Sequence, residues 1–441
     1  MIAGLPPAVT DAVALIHGAG ADVYVVGGAV RDWLIGRPIR DWDLATSLEP
    51  SDLAGLFPSG VDRDLRYGAM RLPADDGDVV VTCFREESGY QDRRHPDQVV
   101  FTDDPAVDGR RRDFTCNAIY VNARTATVID PFGGQDDLRR GVLRTIGDPL
   151  VRFDEDPLRM LRGVRFAARC GLELEGATAA AVTASAGLLV HLSAERIYQE
   201  LTASFTGHGR GRALRLMIDS GLAAVVLPEV VPMDGVQQPP QYHPEGDVLT
   251  HVCMVLDEVA DGDAVQAWCA VLHDIGKPET FDDSGDRIRF SGHDQLSAEM
   301  ARVALERLRA PRGLIEVVED VCRDHIRIAS LLQMRPAKRE RWMRTANFLA
   351  HLEFHGADCR GSHGDLSIYH EARRLLSELP PPPARPLCQG ADVLNLGVPP
   401  GPLVGEILRQ LQRELDELER PDREAALSLL ETIVRQQIKE P

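Results

Sequence analysis

Apolar and polar positions change period along this 441-residue chain, and each change marks a different kind of structure. Up to about Gly147, short apolar runs are broken by turn residues. Val23 to Val26, Val79 to Phe84, Val99 to Thr102, Ala118 to Val121 and Thr127 to Ile129 read as strands with short helical segments between them. From Asp156 the positions Leu158, Leu161, Arg165 and Phe166 recur at helical spacing, and helices are predicted through Ile218. The proline-rich PPQYHPE, Pro239 to Glu245, reads as a boundary. His251 to Asp358 is again helical, with histidines at element ends. Pro380 to Pro386, PPPPARP, is a stiff linker into a terminal helix whose stripe Ile407, Leu408, Leu411, Leu415 and Leu418 reads as core packing. The pattern predicts an α+β protein with a sheet-built head over residues 1–147. Helical domains follow over 148–240 and 241–370, then a linker and helical tail over 371–441.

Composition changes this picture little. A 44% hydrophobic content is ordinary, no apolar run reaches membrane-spanning length, and MIAGLPPAVTDAV has no charged n-region before an apolar core, so no membrane partner is expected. The eight cysteines are scattered without a C-x-x-C pair, which points away from a disulfide framework and towards a reducing cytoplasm. A net charge of −19 weighs against a nucleic-acid partner. The distribution offsets that. Arg110 to Arg112, Arg139-Arg140, then Arg152, Arg159, Arg162, Arg165 and Arg169, and finally Arg210, Arg212 and Arg215 concentrate positive charge in the first half. A local basic track binds RNA phosphates even on an acidic protein.

The stretch Val23 to Thr46, VYVVGGAVRDWLIGRPIRDWDLAT, carries the densest chemistry. It reads as an apolar strand, a Gly27-Gly28 turn, a short helix opening at Ala29, and a second strand carrying Asp41 and Asp43. Side chains two apart on a strand share a face, so the two carboxylates stand side by side. The double glycine admits close backbone approach, and the helix start behind it offers N–H groups to phosphate. A phosphate cradle beside paired carboxylates that hold Mg²⁺ is what metal-assisted nucleotidyl transfer requires.

GGAVRD followed by DWD resembles the first motif of the class II tRNA nucleotidyltransferase and bacterial poly(A) polymerase family, within the polymerase-β superfamily. The resemblance implies a polymerase-β-like head in which Asp41 and Asp43 are catalytic and bind Mg²⁺. Gly27, Gly28 and Arg31 would hold the triphosphate, and Asp32 would anchor the turn. The family often places a third acid in a pattern like IEVTTFR. Here VVVTCFR puts Val80 at that position, with Asp78 one pleat repeat away. EESGYQDRRHPDQVVF resembles a segment with a mobile loop that helps switch the pocket from C to A. Arg111-Arg112-Asp113-Phe114-Thr115, with Asn117, is similar to the family's RRDFTINA motif, in which Arg112, Asp113 and Asn117 would recognise ribose and phosphate. IDPFGG, from Ile129, resembles the hinge between head and neck.

Glu155-Asp156-Pro157-Leu158-Arg159 matches the family's E-D-x-x-R signature. Asp156 and Arg159 are three apart at a helix start and share a face, so an acceptor stands beside a donor fork able to read a base edge. By resemblance this pair is the protein template that selects CTP and then ATP, with Arg162 among the nucleotide contacts. Glu195-Arg196-Ile197 with Glu200 resembles the next motif and is read as structural.

The second half carries different chemistry. HDIGK at His273-Asp274, with His251, His293, His325 and Asp358, resembles the HD phosphohydrolase superfamily. That resemblance makes His251, His273, Asp274 and Asp358 the ligands of a divalent metal, with His293 and His325 as phosphate or second-metal contacts. Imidazole plus carboxylate suits Mn²⁺, Ni²⁺, Co²⁺, Fe²⁺ or Mg²⁺. The resemblances together imply template-independent addition of CCA to the tRNA 3′ end from CTP and ATP, with a helical neck that binds RNA and a phosphohydrolase in the HD domain. An A-adding enzyme or a poly(A) polymerase is the nearest alternative. DLRYGAMRL in place of a compact LIGRRF-like element points towards the tRNA enzymes. An inert RNA-binding head beside a working HD phosphohydrolase is the alternative from another class.

Overall fold

The computed structural model describes residues 4–39, 41–74, 77–239, 246–379, 381, 386–415, 418 and 422–439. Most of the two proline-rich stretches expected as boundary and linker, residues 240–245 and 380 with 382–385, therefore lies outside the described residues. The chain divides into two compact units. Residues 1–234 form the first, together with 260–264 and 304–310, and the rest of the chain forms the second.

The first unit is built on a mixed seven-stranded sheet in the order β3-β4-β5-β2-β1-β8-β9. Its strands are β1 Val23–Val26, β2 Trp42–Thr46, β3 Val61–Asp64, β4 Ala69–Leu72, β5 Val79–Cys83, β8 Tyr120–Asn122 and β9 Val128–Ile129. Strand β1 is buried on both faces, which explains its unbroken VYVV run. Val23, Val25, Leu44 and Val81 pack under helices Pro7–Gly18, Gly28–Leu34 and Pro50–Leu56. Tyr24, Val26, Ala45, Phe84 and Tyr120 form a second core on the opposite face.

Two parts of the head differ from the reading of the sequence. Asp41 precedes β2 rather than lying in it, and only Asp43 is in the ladder, paired with Val26 of β1 and Val80 of β5. The strand expected at Val99 to Thr102 is present, and the segment expected to include a mobile loop also supplies its partner strand. β6 Arg85–Ser88 and β7 Gln98–Phe101 form an antiparallel ladder, with residues 89–97 as the arm. The ladder forms because Arg85 and Glu87, on the same face of β6, are buried against each other while Glu86 and Ser88 face solvent. After the sheet come helices Pro149–Glu155, Leu158–Cys170, Gly176–Ser185, Ala194–Phe205 and Arg210–Asp219.

The second unit is helical but not wholly so. A short hairpin, Phe281–Asp282 against Arg289–Phe290, interrupts it between helices Ala264–Leu272 and His293–Arg307. The all-helical reading missed this hairpin because its charged turn residues carry no apolar period. The terminal stripe packs as helix Pro402–Leu415, with Ile407, Leu411 and Leu415 buried against helix Arg423–Lys439. Leu418 lies past the helix end and is exposed, so it does not belong to the stripe. Among the described residues no helix is long and apolar enough to cross a membrane.

Candidate active site

Gly27 has φ +71°, and a side chain there would lie 2.9 Å from Asp43 Oδ2. Glycine is therefore required both for the turn between β1 and the next helix and for the carboxylate behind it. Asp43 and Asp41 face a cavity of about 630 Å³. Burial pushes the Asp43 carboxyl above its ordinary range and Asp41 adds to the rise, while Arg112 opposes it. A buried carboxylate whose charge is disfavoured, with a second carboxylate at the same cavity, fits a divalent cation, which supplies the missing positive charge. Val80 stands beside Asp43 in the ladder, so this position offers no third carboxylate. Asp78 offers none either. It lies outside the cavity and binds Arg71 at 2.5 Å.

Gly27, Gly28, Arg31, Asp41, Asp43, Arg112, Asp113, Asn117, Asp156, Arg159 and Arg162, all named from the sequence, line this one cavity. Its walls carry ten arginines against six carboxylates, an excess of positive charge that suits a polyphosphate. Only part of the basic track contributes. Arg210, Arg212 and Arg215 instead bind Asp261, Glu173 and Asp234.

Several wall residues are already held by partners. Arg31 is buried. It donates through Nε and Nη2 to Asp32 Oδ1 at 2.9 and 2.7 Å, and through Nη1 to Asn117 Oδ1 at 2.8 Å. Asp32 also accepts from Arg169, which ties the turn to the helix Leu158–Cys170. Asp113 accepts from Arg162 at 2.7 and 3.0 Å and from Asn117 Nδ2 at 2.9 Å. Burial raises its carboxyl, but Arg162 and these hydrogen bonds overcome that and hold it well below the usual range.

Asp156 and Arg159 both line the cavity, and each is held by a partner of its own rather than by the other. Asp156 accepts both contacts from Arg196 Nη2 at 3.0 Å, and Arg159 donates to Glu155 Oε2 at 2.7 Å. Arg159 also lies over the Tyr90 ring, 5.9 Å from its centroid. Arg196, read as structural, thus lines the cavity and fixes Asp156 from forty residues away, while Glu200 of the same helix holds Arg165. The motif resemblance singled out Arg196 in the sequence, but not its partner Asp156.

Asp108 was missed altogether. It is buried, and it accepts from Arg111 Nε, from Tyr120 Oη at 2.6 Å and from the Arg85 backbone N–H. Burial opposes its charge, but Arg111 and Arg112 bring its carboxyl down to about 2. Asp108 therefore anchors Arg111 and Arg112 from behind the cavity.

In the second unit a cavity of about 440 Å³ is lined by His251, His273, Asp274, His293, His325 and Asp358. His251 lies within helix Val248–Asp257 and Asp358 within helix Phe348–Arg360, whereas His273, His293 and His325 stand at helix ends. Asp274 is buried, and neither of its oxygens accepts a well-directed hydrogen bond. His273 Nε2 lies 3.1 Å from Oδ2, His293 Nε2 lies 3.4 Å from Oδ1, and Lys277 Nζ lies 2.6 Å from Oδ2. Burial raises the Asp274 carboxyl, but His273 and Lys277 hold it well below its ordinary value. A buried carboxylate without directed donors, ringed by imidazoles, has the donor set of a divalent metal site. Arg287 also lines the cavity and, among the described residues, has no hydrogen-bond or ion-pair partner.

Comparison with known proteins agrees with the head and neck. Residues 23–144 match the family described as the Poly A polymerase head domain. Residues 171–233 match the probable RNA and SrmB-binding site of polymerase A. A CCA-adding enzyme of Geobacillus sp. is 38% identical over 46% of this chain and 50% of its own length. One of Lacticaseibacillus paracasei is 43% identical over 47% and 52%. The chain spans about half the length of the curated relatives it matches. The crystal structure of Bacillus stearothermophilus CCA-adding enzyme in complex with CTP superposes with a TM-score of 0.71, at 26% identity over 99% of this chain and 100% of that one. Thermotoga maritima CCA-adding enzyme complexed with tRNA shares the fold at a TM-score of 0.56, with 18% identity over 99% and 97%.

Proposed function

We propose that this chain, whose head and neck belong to the poly(A) polymerase and CCA-adding family, adds C, C and A to the 3′ end of tRNA from CTP and ATP. The observation that carries the reading is the single arginine-rich cavity in which the D-x-D carboxylates, the Gly27 turn and the Asp156–Arg159 signature meet. Asp41 and Asp43 would hold Mg²⁺, which lowers the pKa of the primer hydroxyl and neutralises charge on the triphosphate. Arg112 and Arg162 crowd positive charge beside Asp43 and would receive the triphosphate. Asp113, fixed by Arg162 and Asn117, would accept from ribose hydroxyls. Asp156, held by Arg196, and Arg159, held by Glu155 and Tyr90, would present an acceptor and a donor fork to the base edge. The fixed partners leave each group one orientation, which is what discrimination between bases needs. We place the protein in the cytoplasm on the ground of its scattered cysteines alone.

The test is to incubate the full chain with labelled tRNAs lacking CCA, CA or A and to sequence the products. CCA completion of all three supports the reading. Addition of A alone, or of an A run, would move it to the A-adding or poly(A) alternatives.

A second reading is favoured by the Asp274 cavity. The second unit would be a phosphohydrolase, with His251, His273, Asp274 and Asp358 as metal ligands. A divalent ion held there would activate water for phosphate-ester cleavage. Arg287 would bind an anionic substrate at the mouth. Assay of 2′,3′-cyclic and terminal phosphates across Mn²⁺, Ni²⁺, Co²⁺ and Mg²⁺ checks it, and no hydrolysis with any of them removes it.

A further inference from the structure

We infer that Arg152, a residue outside the cavity, is a positioning residue for nucleotide choice: it ties the backbone of Arg111 and Arg112 to Glu155 and so sets where Arg159 stands. The inference rests on the proposed nucleotide site and adds to it a side chain that no nucleotide would touch. Arg152 is buried, and it is absent from the residues that line the cavity. Its Nη2 donates to the carbonyl oxygens of Arg111 and Arg112 at 2.7 and 2.9 Å. Its Nη1 donates to Glu155 Oε2, and the same oxygen accepts from Arg159 Nη1 at 2.7 Å.

These bonds join the two ends of the proposed site. At one end Arg112 is fixed through its side chain, which donates to Tyr120 Oη at 2.9 Å and to Asp108 Oδ2 at 3.3 Å. At the other end Arg159 is fixed through Nη1, which also donates to the Arg152 carbonyl at 3.1 Å. Between the ends lies a joint in the chain. Helix Pro149–Glu155 stops, Asp156 is extended at φ −149° and ψ 99°, and helix Leu158–Cys170 begins. The helical ladder does not run through such a break, so side chains must set its angle. Arg152 fastens the joint to the Arg111–Arg112 segment, 41 and 40 residues earlier in the chain.

The chemistry here serves position rather than stability. Two buried guanidiniums share one carboxylate oxygen. Arg152 Nε is buried without a hydrogen-bond partner among the described residues, and burial together with the Arg159 charge lowers the pKa of the group. Both features work against stability. What the arrangement supplies is direction. Arg159 is pinned at Nη1 and lies over the Tyr90 ring, and among the described residues its Nε has no partner. A planar fork held in this way aims its remaining donors one way, towards a base edge. Without Arg152 the fork would drift, and a drifting donor pairs with right and wrong bases more equally.

The experiment uses the full chain as wild type, Arg152→Gln, Arg152→Lys and Glu155→Gln. Single-turnover addition to tRNA lacking A, and to tRNA lacking CCA, is measured with each of the four nucleotides, below the unfolding midpoint of each protein. Arg152→Gln should lower the preference for right over wrong nucleotides by roughly 10- to 100-fold. Arg152→Lys keeps the charge but reaches either the carbonyls or Glu155, and should fall between. Arg152→Gln with Arg159→Ala should show a preference no lower than Arg159→Ala alone, because the anchor acts only through the reader. Equal slowing with all four nucleotides at an unchanged preference overturns the proposal, and so does an additive loss in the double variant. If neither Arg152 variant folds, Glu155→Gln decides: a lowered preference supports the anchor and an unchanged one overturns it. A wild type that adds A alone would overturn the CCA reading and leave this test standing on the preference for ATP. A wild type that completes CCA, beside variants of unchanged preference, would overturn this inference alone.

Discussion

At Asp43 two demands oppose each other. The carboxylate must be buried enough to exclude water from the chemistry, yet burial and Asp41 both disfavour its charge. A cation resolves the conflict, so Asp43→Asn or Asp41→Asn should lower nucleotide addition by roughly 10²- to 10⁴-fold, the several kcal/mol of charge stabilisation a metal supplies. Single-turnover rates with the thermal unfolding midpoint unchanged would check it, and near-normal addition would remove the metal assignment. At the proposed base-reading position, Asp156→Ala or Arg159→Ala should blur the choice among CTP, ATP, UTP and GTP by roughly 10²-fold or more while leaving tRNA affinity nearly unchanged. Arg196→Ala should give a milder version of the Asp156 effect, because it frees the acceptor without removing it. Competition assays with all four nucleotides measure this, and unchanged selectivity in the three variants would put the template elsewhere. In the other cavity, Arg287→Ala should weaken phosphate-ester hydrolysis by roughly 10- to 100-fold, the worth of a hydrogen bond to a charged group, without altering metal content.

Turns and helix ends hold these residues in place, and their stability can be probed separately. The turn from β1 into the next helix has Gly27 in the left-handed region, with Asp43 Oδ2 where a side chain would go. Gly27→Ala should cost about 1–2 kcal/mol of backbone strain and displace the carboxylate, so addition should fall more steeply than stability. Helix Pro105–Arg110 carries Asp108, where one buried carboxylate holds Arg111, Arg112, Tyr120 and the Arg85 N–H. Asp108→Asn leaves the arginines without their counter-charge and should destabilise the head by about 3–5 kcal/mol. The sign of the pH effect follows from a carboxyl whose folded value, about 2, lies below its ordinary 3.8. Its stabilisation is complete above pH 3.8 and is lost as pH falls towards 2. Urea unfolding across that range should show a wild-type decline that the Asn variant lacks.

For the molecule as a whole, the two cavities belong to separate units with disjoint residues. His273→Ala with Asp274→Ala should therefore abolish metal-dependent hydrolysis and leave addition to an intact tRNA nearly unaffected. Loss of both activities would mean that the units do not act independently. Chemistry packed into a few consecutive residues was legible in the sequence. GGAVRD with DWD, RRDFT, EDPLR and HDIGK are short motifs whose resemblance to known families pointed to candidate site residues. That was enough to name the head residues that meet in one cavity and the histidines that meet in the other. The sequence also determined the α+β division, because period-two and period-3.6 patterns are themselves local. Only the tertiary structure decided which partner each charge takes. Arg196 on Asp156, Tyr90 under Arg159, the Arg85 N–H on Asp108, Val80 beside Asp43 and Asp274 between two histidine pairs all join segments far apart in the chain. Such pairings depend on which helix and strand faces pack together, and the identity of a residue does not reveal which distant face it will meet.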